Sequence, residues 1–238
     1  MGTAHDFDVI LKRELNIHAA WLPVTNTFRL GDYGLVSDGT LVAVGNIRDD
    51  FGVNFTQALG PDAQLDFASK GTSMVRVAGG ATVQQFPGSD VEAKLKLEFE
   101  RERSFLVKVK LTVSQMQGLN EVAAKLNTLP QWDSRFRVVS ALYTGTSCVL
   151  ISSKAAGSKI ELSGKANALQ QLDLGATFAG VQVTTRSEIG LEIVGKKGVV
   201  GLSLFKLGWW NPLKLLGPGE EMPIETLKDW PDTLPDDV

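Results

Sequence analysis

Between Val91 and Val113 the chain alternates apolar and polar residues twice, and this constrains its fold more than any other stretch. Val91, Ala93, Leu95, Leu97 and Phe99 interleave with Glu92, Lys94, Lys96 and Glu98. After Glu100-Arg101-Glu102-Arg103-Ser104, Phe105, Val107, Val109, Leu111 and Val113 interleave with Lys108, Lys110 and Thr112. A period of two puts like residues on one face of a β-strand, so each run has a dry face and a charged face. The pair forms either one hairpin or one long strand with a kink. A second pair follows. Ile160, Leu162, Gly164, Ala166 and Ala168 alternate with polar residues, as do Val181, Val183, Ile189, Leu191 and Ile193.

Helical spacing appears in two places. Phe7, Ile10, Leu11 and Leu15 make an apolar stripe over 4–16, with Asp6, Asp8, Lys12 and Arg13 on other faces. Met116, Leu119, Val122, Ala123 and Leu126 do the same over 114–128, with Ser114 as the cap and Pro130 as the stop. Phe28–Ile47 reads as a hairpin around Ser37-Asp38-Gly39, then 48–62 as a loop with a short apolar element. Residues 64–69 and 72–78 read as short strands, 136–152 as a central hairpin around Thr144-Gly145, and 199–207 as a last strand. The expected fold class is α+β: a twisted, largely antiparallel sheet with flanking helices.

Chemistry has little to work with. His5 and His18 lack ligand spacing, so no metal is expected. Cys148 falls in a central strand, where a buried thiol is inert. There is no nucleophile elbow and no phosphate loop, and the carboxylates mostly alternate with lysines on wet faces. No catalytic residue and no cofactor are assigned. A net charge of −3 gives no reason to expect nucleic acid. The chain lacks an apolar run long enough for a membrane-spanning helix, its first residues have no basic start, and its one cysteine makes no internal disulfide. The expected location is the cytoplasm.

Charge is uneven. Residues 217–238 carry seven acidic residues and one lysine, whereas 1–216 has a surplus of three positive charges. The expected division is a body, 1–216, and an acidic tail, 217–238. The tail is either solubilising or a mask over the body.

The N-terminal segment gives the one match at residue level. Phe7 lies on the first helix, Glu14-Leu15-Asn16 follows, and Leu22-Pro23-Val24-Thr25 closes the segment. That motif resembles the start of gasdermins, and the order of elements downstream agrees over 5–207. Asn16 stands where an Asp is common, and no N-terminal cysteine offers the lipid acceptor expected in bacterial members. The short C-terminal segment makes the chain similar to bacterial or fungal gasdermins.

The resemblance implies a non-enzymatic protein held soluble by its tail, which assembles with copies of itself into a β-barrel pore in the cell membrane. Pore formation of this kind serves cell death or anti-phage defence. The dry faces of the four runs would meet lipid. Lys94, Lys96, Lys108 and Lys110 would meet the lumen, and Lys12 and Arg13 lipid headgroups. Leu227 and Trp230 would hold the tail on the body. Gly217-Pro218-Gly219 is the candidate region for an activating protease, and partner binding is the other activation route. The charged segment 100–104 would be a tip that has to cross the bilayer. The alternative is a soluble, β-rich protein-binding module without membrane activity, suggested by the apolar segment Trp209–Leu216.

Overall fold

The computed structural model describes residues 3–23, 25–37, 39–173, 180–195 and 197–207. The elements run α1 (Thr3–Leu15), β1 (His18–Ala19), β2 (Asp32–Ser37), β3 (Thr40–Asn46), α2 (Ile47–Phe51), β4 (Gln57–Ala68), β5 (Thr72–Ala78), β6 (Ala81–Val83), β7 (Glu92–Phe99) and β8 (Phe105–Met116). They continue with α3 (Leu119–Asn127), β9 (Arg137–Ser153), β10 (Ser158–Lys165), α4 (Ala166–Asp173), β11 (Val181–Ser187), β12 (Ile189–Gly195) and β13 (Gly198–Phe205). All pairings between described strands are antiparallel. An eight-stranded sheet holds β1-β13-β9-β2-β3 with β8, β4 and β12 attached through β9, and a five-stranded sheet runs β11-β10-β7-β5-β6. The fold class is therefore α+β, as the alternation indicates.

The helices cover apolar faces. Phe7, Ile10 and Leu11 of α1 join Phe105, Val107, Val109 and Leu111 of β8 with Cys148 and Leu150 of β9 in one core cluster. Asp6 in the first turn of α1 and Lys12 and Arg13 in its last turn complement the helix dipole. Asp8, placed by its spacing on a solvent face, is instead buried. Its carboxylate accepts from the Ala19 amide at 2.8 Å and from Lys12 Nζ at 2.9 Å, and His18 Nδ1 lies 3.4 Å away. The helix is thus pinned to β1 by a charged anchor. Asn46 caps α2 by accepting from the Arg48 amide, and Gly52, at φ 64°, ends it.

Several local expectations differ from the structure, and the loop expected over 48–62 instead holds most of α2 and the start of β4, which pairs with β8. The stretch 136–152 is not a hairpin, because Arg137–Ser153 is one 17-residue strand, β9. A Cβ on Gly145 would sit 2.7 Å from Val109 Cγ2 and 3.1 Å from Val200 Cγ2, so the glycine lets three strands close up without turning the chain. The helix expected over 114–128 starts only at Leu119, because Ser114 pairs with Leu59 and Leu142 as strand and Gly118, at φ 69°, sets the break. Likewise Ala166 and Ala168 belong to α4, and 181–193 is divided at Glu188, whose φ is 51°.

Of the two readings of the alternating runs, the hairpin is absent and the long strand with a kink is what the chain forms, bent at 100–104. β7 lies in the five-stranded sheet between β5 and β10, and β8 in the larger sheet between β4 and β9. The segment 100–104 carries the chain from one sheet to the other.

Candidate functional site

Four chain segments make the same crossing. β4 leads into β5 through 69–71, β7 into β8 through 100–104, β9 into β10 through 154–157, and β11 into β12 through Glu188. Pairing continues on both sides of each crossing. β4 pairs β8 and β5 pairs β7; β9 pairs β12 and β10 pairs β11; and β8 and β7 pair β9 and β10. The arrangement is two long bent hairpins, 57–116 and 137–195, lying side by side as one four-stranded sheet folded at a corner.

The inside of the corner is dry. Ala93, Leu95, Leu97 and Phe99 of β7, and Ile160 and Leu162 of β10, have at most 4% exposure and pack with Leu106, Val149 and Ile151 of the larger sheet. Ala166, Leu169 and Leu172 of α4 close this core. Burying one such Leu or Phe side chain is worth about 2 kcal/mol, so the dry faces have a strong reason to stay together in water.

The outside of β7 and β10 is a ladder of opposite charges in register. Glu92 stands opposite Lys165, Lys96 opposite Glu161 and Glu98 opposite Lys159. Lys94 Nζ donates to Glu161 at 2.9 Å, Lys96 Nζ is 3.6 Å from the same carboxylate, Lys159 Nζ is 3.0 Å from Glu98, and Lys165 pairs with Glu92. The Lys94 ammonium, with Lys96 and Thr184, holds the Glu161 carboxyl below its ordinary value. Exposed pairs of this kind add little stability, but like charges directly opposite would oppose pairing, so the ladder favours this register.

The other sequence-chosen positions divide. Phe105, Val107, Val109 and Leu111 are buried under α1 rather than in the corner. Val91 and Val183 are exposed, Val113 and Val181 half-buried, and Ile189 lies in the corner core. Leu191 and Ile193 pair with β9 through their backbones, and their side chains lie outside the description. Lys110 is exposed, whereas Lys108, expected on a wet face, is 2% exposed and donates to Asp66 at 2.8 Å. Lys12 is engaged by Asp8, and Arg13 is exposed. Gly217, Pro218, Gly219, Leu227 and Trp230 fall outside the described residues, as does Val24 of the N-terminal motif.

Segment 100–104 is not a hairpin tip. The chain between β5 and β7 is 79–91 and that between β10 and β11 is 166–180, of which 166–173 and 180 are described, and each holds a single charged residue, Asp90 and Asp173. These two ends are joined: Ala166 and Asn167 donate their amides to Val91 and Ser89 carbonyls, and Asn167 Nδ2 donates to Asp90 at 2.6 Å. Sequence reading missed these contacts because they span some seventy residues and no local pattern encodes them.

Among the described residues no cluster of His, Cys, Asp and Glu has the makings of a metal site, and no helix is long and apolar enough to cross a membrane. Cys148 is 1% exposed, and burial pushes its thiol up to about 12, which removes it as a nucleophile near neutral pH.

No family model and no curated protein matches this sequence. A solved structure of a bacterial gasdermin from Bradyrhizobium tropiciagri aligns over 87% of this chain and 88% of that chain, with 12% identity and a TM-score of 0.37.

Proposed function

We propose that the protein is a gasdermin-like pore former, in which the two paired hairpins leave the folded body and join those of other copies in a β-barrel through the cell membrane. The observation that carries this reading is the side-by-side pairing of the hairpins, with every apolar side chain of β7 inward and every charged one outward. Hydrocarbon admits only strands whose backbone groups are all paired, and four strands per copy close a wide barrel only through oligomers. A spanning strand needs roughly 9–11 residues. β7 alone has eight, and Val91, next in its alternation, brings the run to the nine residues 91–99, which leaves the charged segment 100–104 at the water edge.

Lipid replaces the corner core on one face, and the ladder of Lys94, Lys96, Glu92, Glu98 and Glu161 lines the water-filled side. The opposite orientation is excluded on energy, because a lysine facing mid-bilayer costs about 2–4 kcal/mol. The hairpin ends that cross first carry one charge each, which lowers the crossing cost relative to a charged tip at 100–104.

The acidic tail 217–238 restrains the body until a protease cuts near Gly217-Pro218-Gly219, or a partner displaces it. The effectors are then membrane lipids and further copies of the chain, and the outcome is death of the host cell, as in defence against phage.

The test uses the full chain with a specific protease site inserted at 217–219, mixed with dye-loaded vesicles of phosphatidylglycerol and phosphatidylcholine. Cleavage is expected to release dye, and the uncut protein to release little. Retention of dye by both forms would sink the pore reading and favour the binding-module alternative.

A further inference from the structure

The corner has a construction of its own. Each of the four crossing segments holds one residue in the left-handed region: Gly71 at φ 86°, Arg103 at 55°, Gly157 at 79° and Glu188 at 51°. Two of these carry side chains that this region penalises. Each neighbouring pair of crossings is also tied by one serine hydroxyl. Ser69 Oγ accepts from the Phe105 amide at 2.9 Å, joining the first and second crossings. Ser153 Oγ accepts from the Ser104 amide at 2.9 Å and donates to the Arg101 carbonyl at 2.7 Å, joining the second and third. Ser158 Oγ lies 2.6 Å from the Glu188 carbonyl, joining the third and fourth.

Ser69 Oγ and Ser153 Oγ take the Phe105 and Ser104 amides that would bond the Ser69 and Ser153 carbonyls in an unbent ladder. The return bonds from the Ser69 and Ser153 amides stay in place, and Ser158 Oγ adds to the Glu188 carbonyl beside the Lys154 amide. A straight four-stranded sheet pairs the same backbone groups with each other and needs neither the serines nor the left-handed residues. We propose that the corner is a single hinge, latched by Ser69, Ser153 and Ser158, on which the four crossings straighten together. The proposal rests on the hairpin release above and supplies its moving part.

The left-handed Arg103 and Glu188 store strain in the bent form, and the serine bonds hold it there. Breaking one latch therefore loosens all four crossings, and relieving one strained residue tightens all four. A corner that is merely structural responds only beside the altered residue.

Hydrogen exchange on the full chain in solution separates the two. Ser158→Ala touches only the third and fourth crossings. It is expected to speed exchange of the Ser69 and Glu100 amides, which bond to the Phe105 and Gly71 carbonyls at the far crossings, by roughly tenfold. Glu188→Gly is expected to slow the same amides about threefold, and this stabilising variant keeps the test valid if Ser158→Ala folds poorly. Changes confined to Lys154 and Gly157 would overturn the hinge. Dye release from the vesicles above, by variants cut at 217–219, distinguishes this failure from that of the pore. Far-side coupling without release upholds the hinge and removes the pore. Exchange changes confined to Lys154 and Gly157, with release at the parent's rate in both variants, remove the hinge and keep the pore.

Discussion

Asp8→Ala is expected to destabilise the fold by about 3 kcal/mol, the scale for deleting one partner of a buried charged cluster. The carboxylate is 1% exposed and holds the Ala19 amide, Lys12 and His18. Without it the Ala19 amide loses its acceptor and the Lys12 ammonium its ion-pair partner, and α1 loses its tie to β1. The same helix shields Phe105, Val107 and Val109, so the loss spreads to the larger sheet. For a chain of this size the unfolding midpoint should fall by roughly 6–12 °C. The pH dependence has a definite sign. Burial alone would raise the Asp8 carboxyl, but hydrogen bonds from His18, Lys12 and the Ala19 amide outweigh it and hold the group below its ordinary 3.8. Its stabilisation is therefore complete above that value and is lost as pH falls through the lower, folded one. Thermal unfolding of the wild type and Asp8→Asn should differ most near neutral pH and converge in acid. A gap that widens in acid would contradict the assignment.

Gly145→Val is expected to cost about 3 kcal/mol or more, through overpacking that has nowhere to relax. The new Cβ would meet Val109 and Val200, both stiff β-branched side chains with at most 1% exposure, on the strands flanking β9. Thr146→Val, at an exposed neighbouring position, should stay within about 0.5 kcal/mol. Denaturant unfolding of the two variants checks both. Equal midpoints would mean that β9 does not run straight past Gly145.

That glycine also marks where sequence reading stopped. Thr144-Gly145 has the residues of a turn, and the local pattern does not say that the glycine is needed for close approach instead of positive φ. The alternation over 91–113 correctly fixed which residues of β7 face inward, because pleat and periodicity are local. It was silent on partners: β7 pairs with β10, more than sixty residues on, and nothing in a single strand names its neighbour. Lys108 shows the same limit, since a lysine in an alternating run reads as wet until the strands around it are placed. Asp8 was partly legible, as its i,i+4 spacing to Lys12 is in the sequence, but its burial depends on β1 and on Gly39, whose Cβ position lies 3.0 Å from it. The serine latches were invisible, because a hydroxyl that bridges two strands leaves no spacing to read.

The central claim is that β7 and β10 exchange their own core for lipid while keeping their charged faces in water. Photolabelling answers it directly, with a carbene precursor dissolved in the vesicle bilayer and the labelled residues of the cleaved protein mapped by mass spectrometry. Label is expected on Leu95, Leu97, Ile160 and Leu162, and none on Lys94, Lys96 or Glu161 between them. Label without alternation, or confined to residues already exposed in the folded protein such as Val91 and Val183, would contradict it.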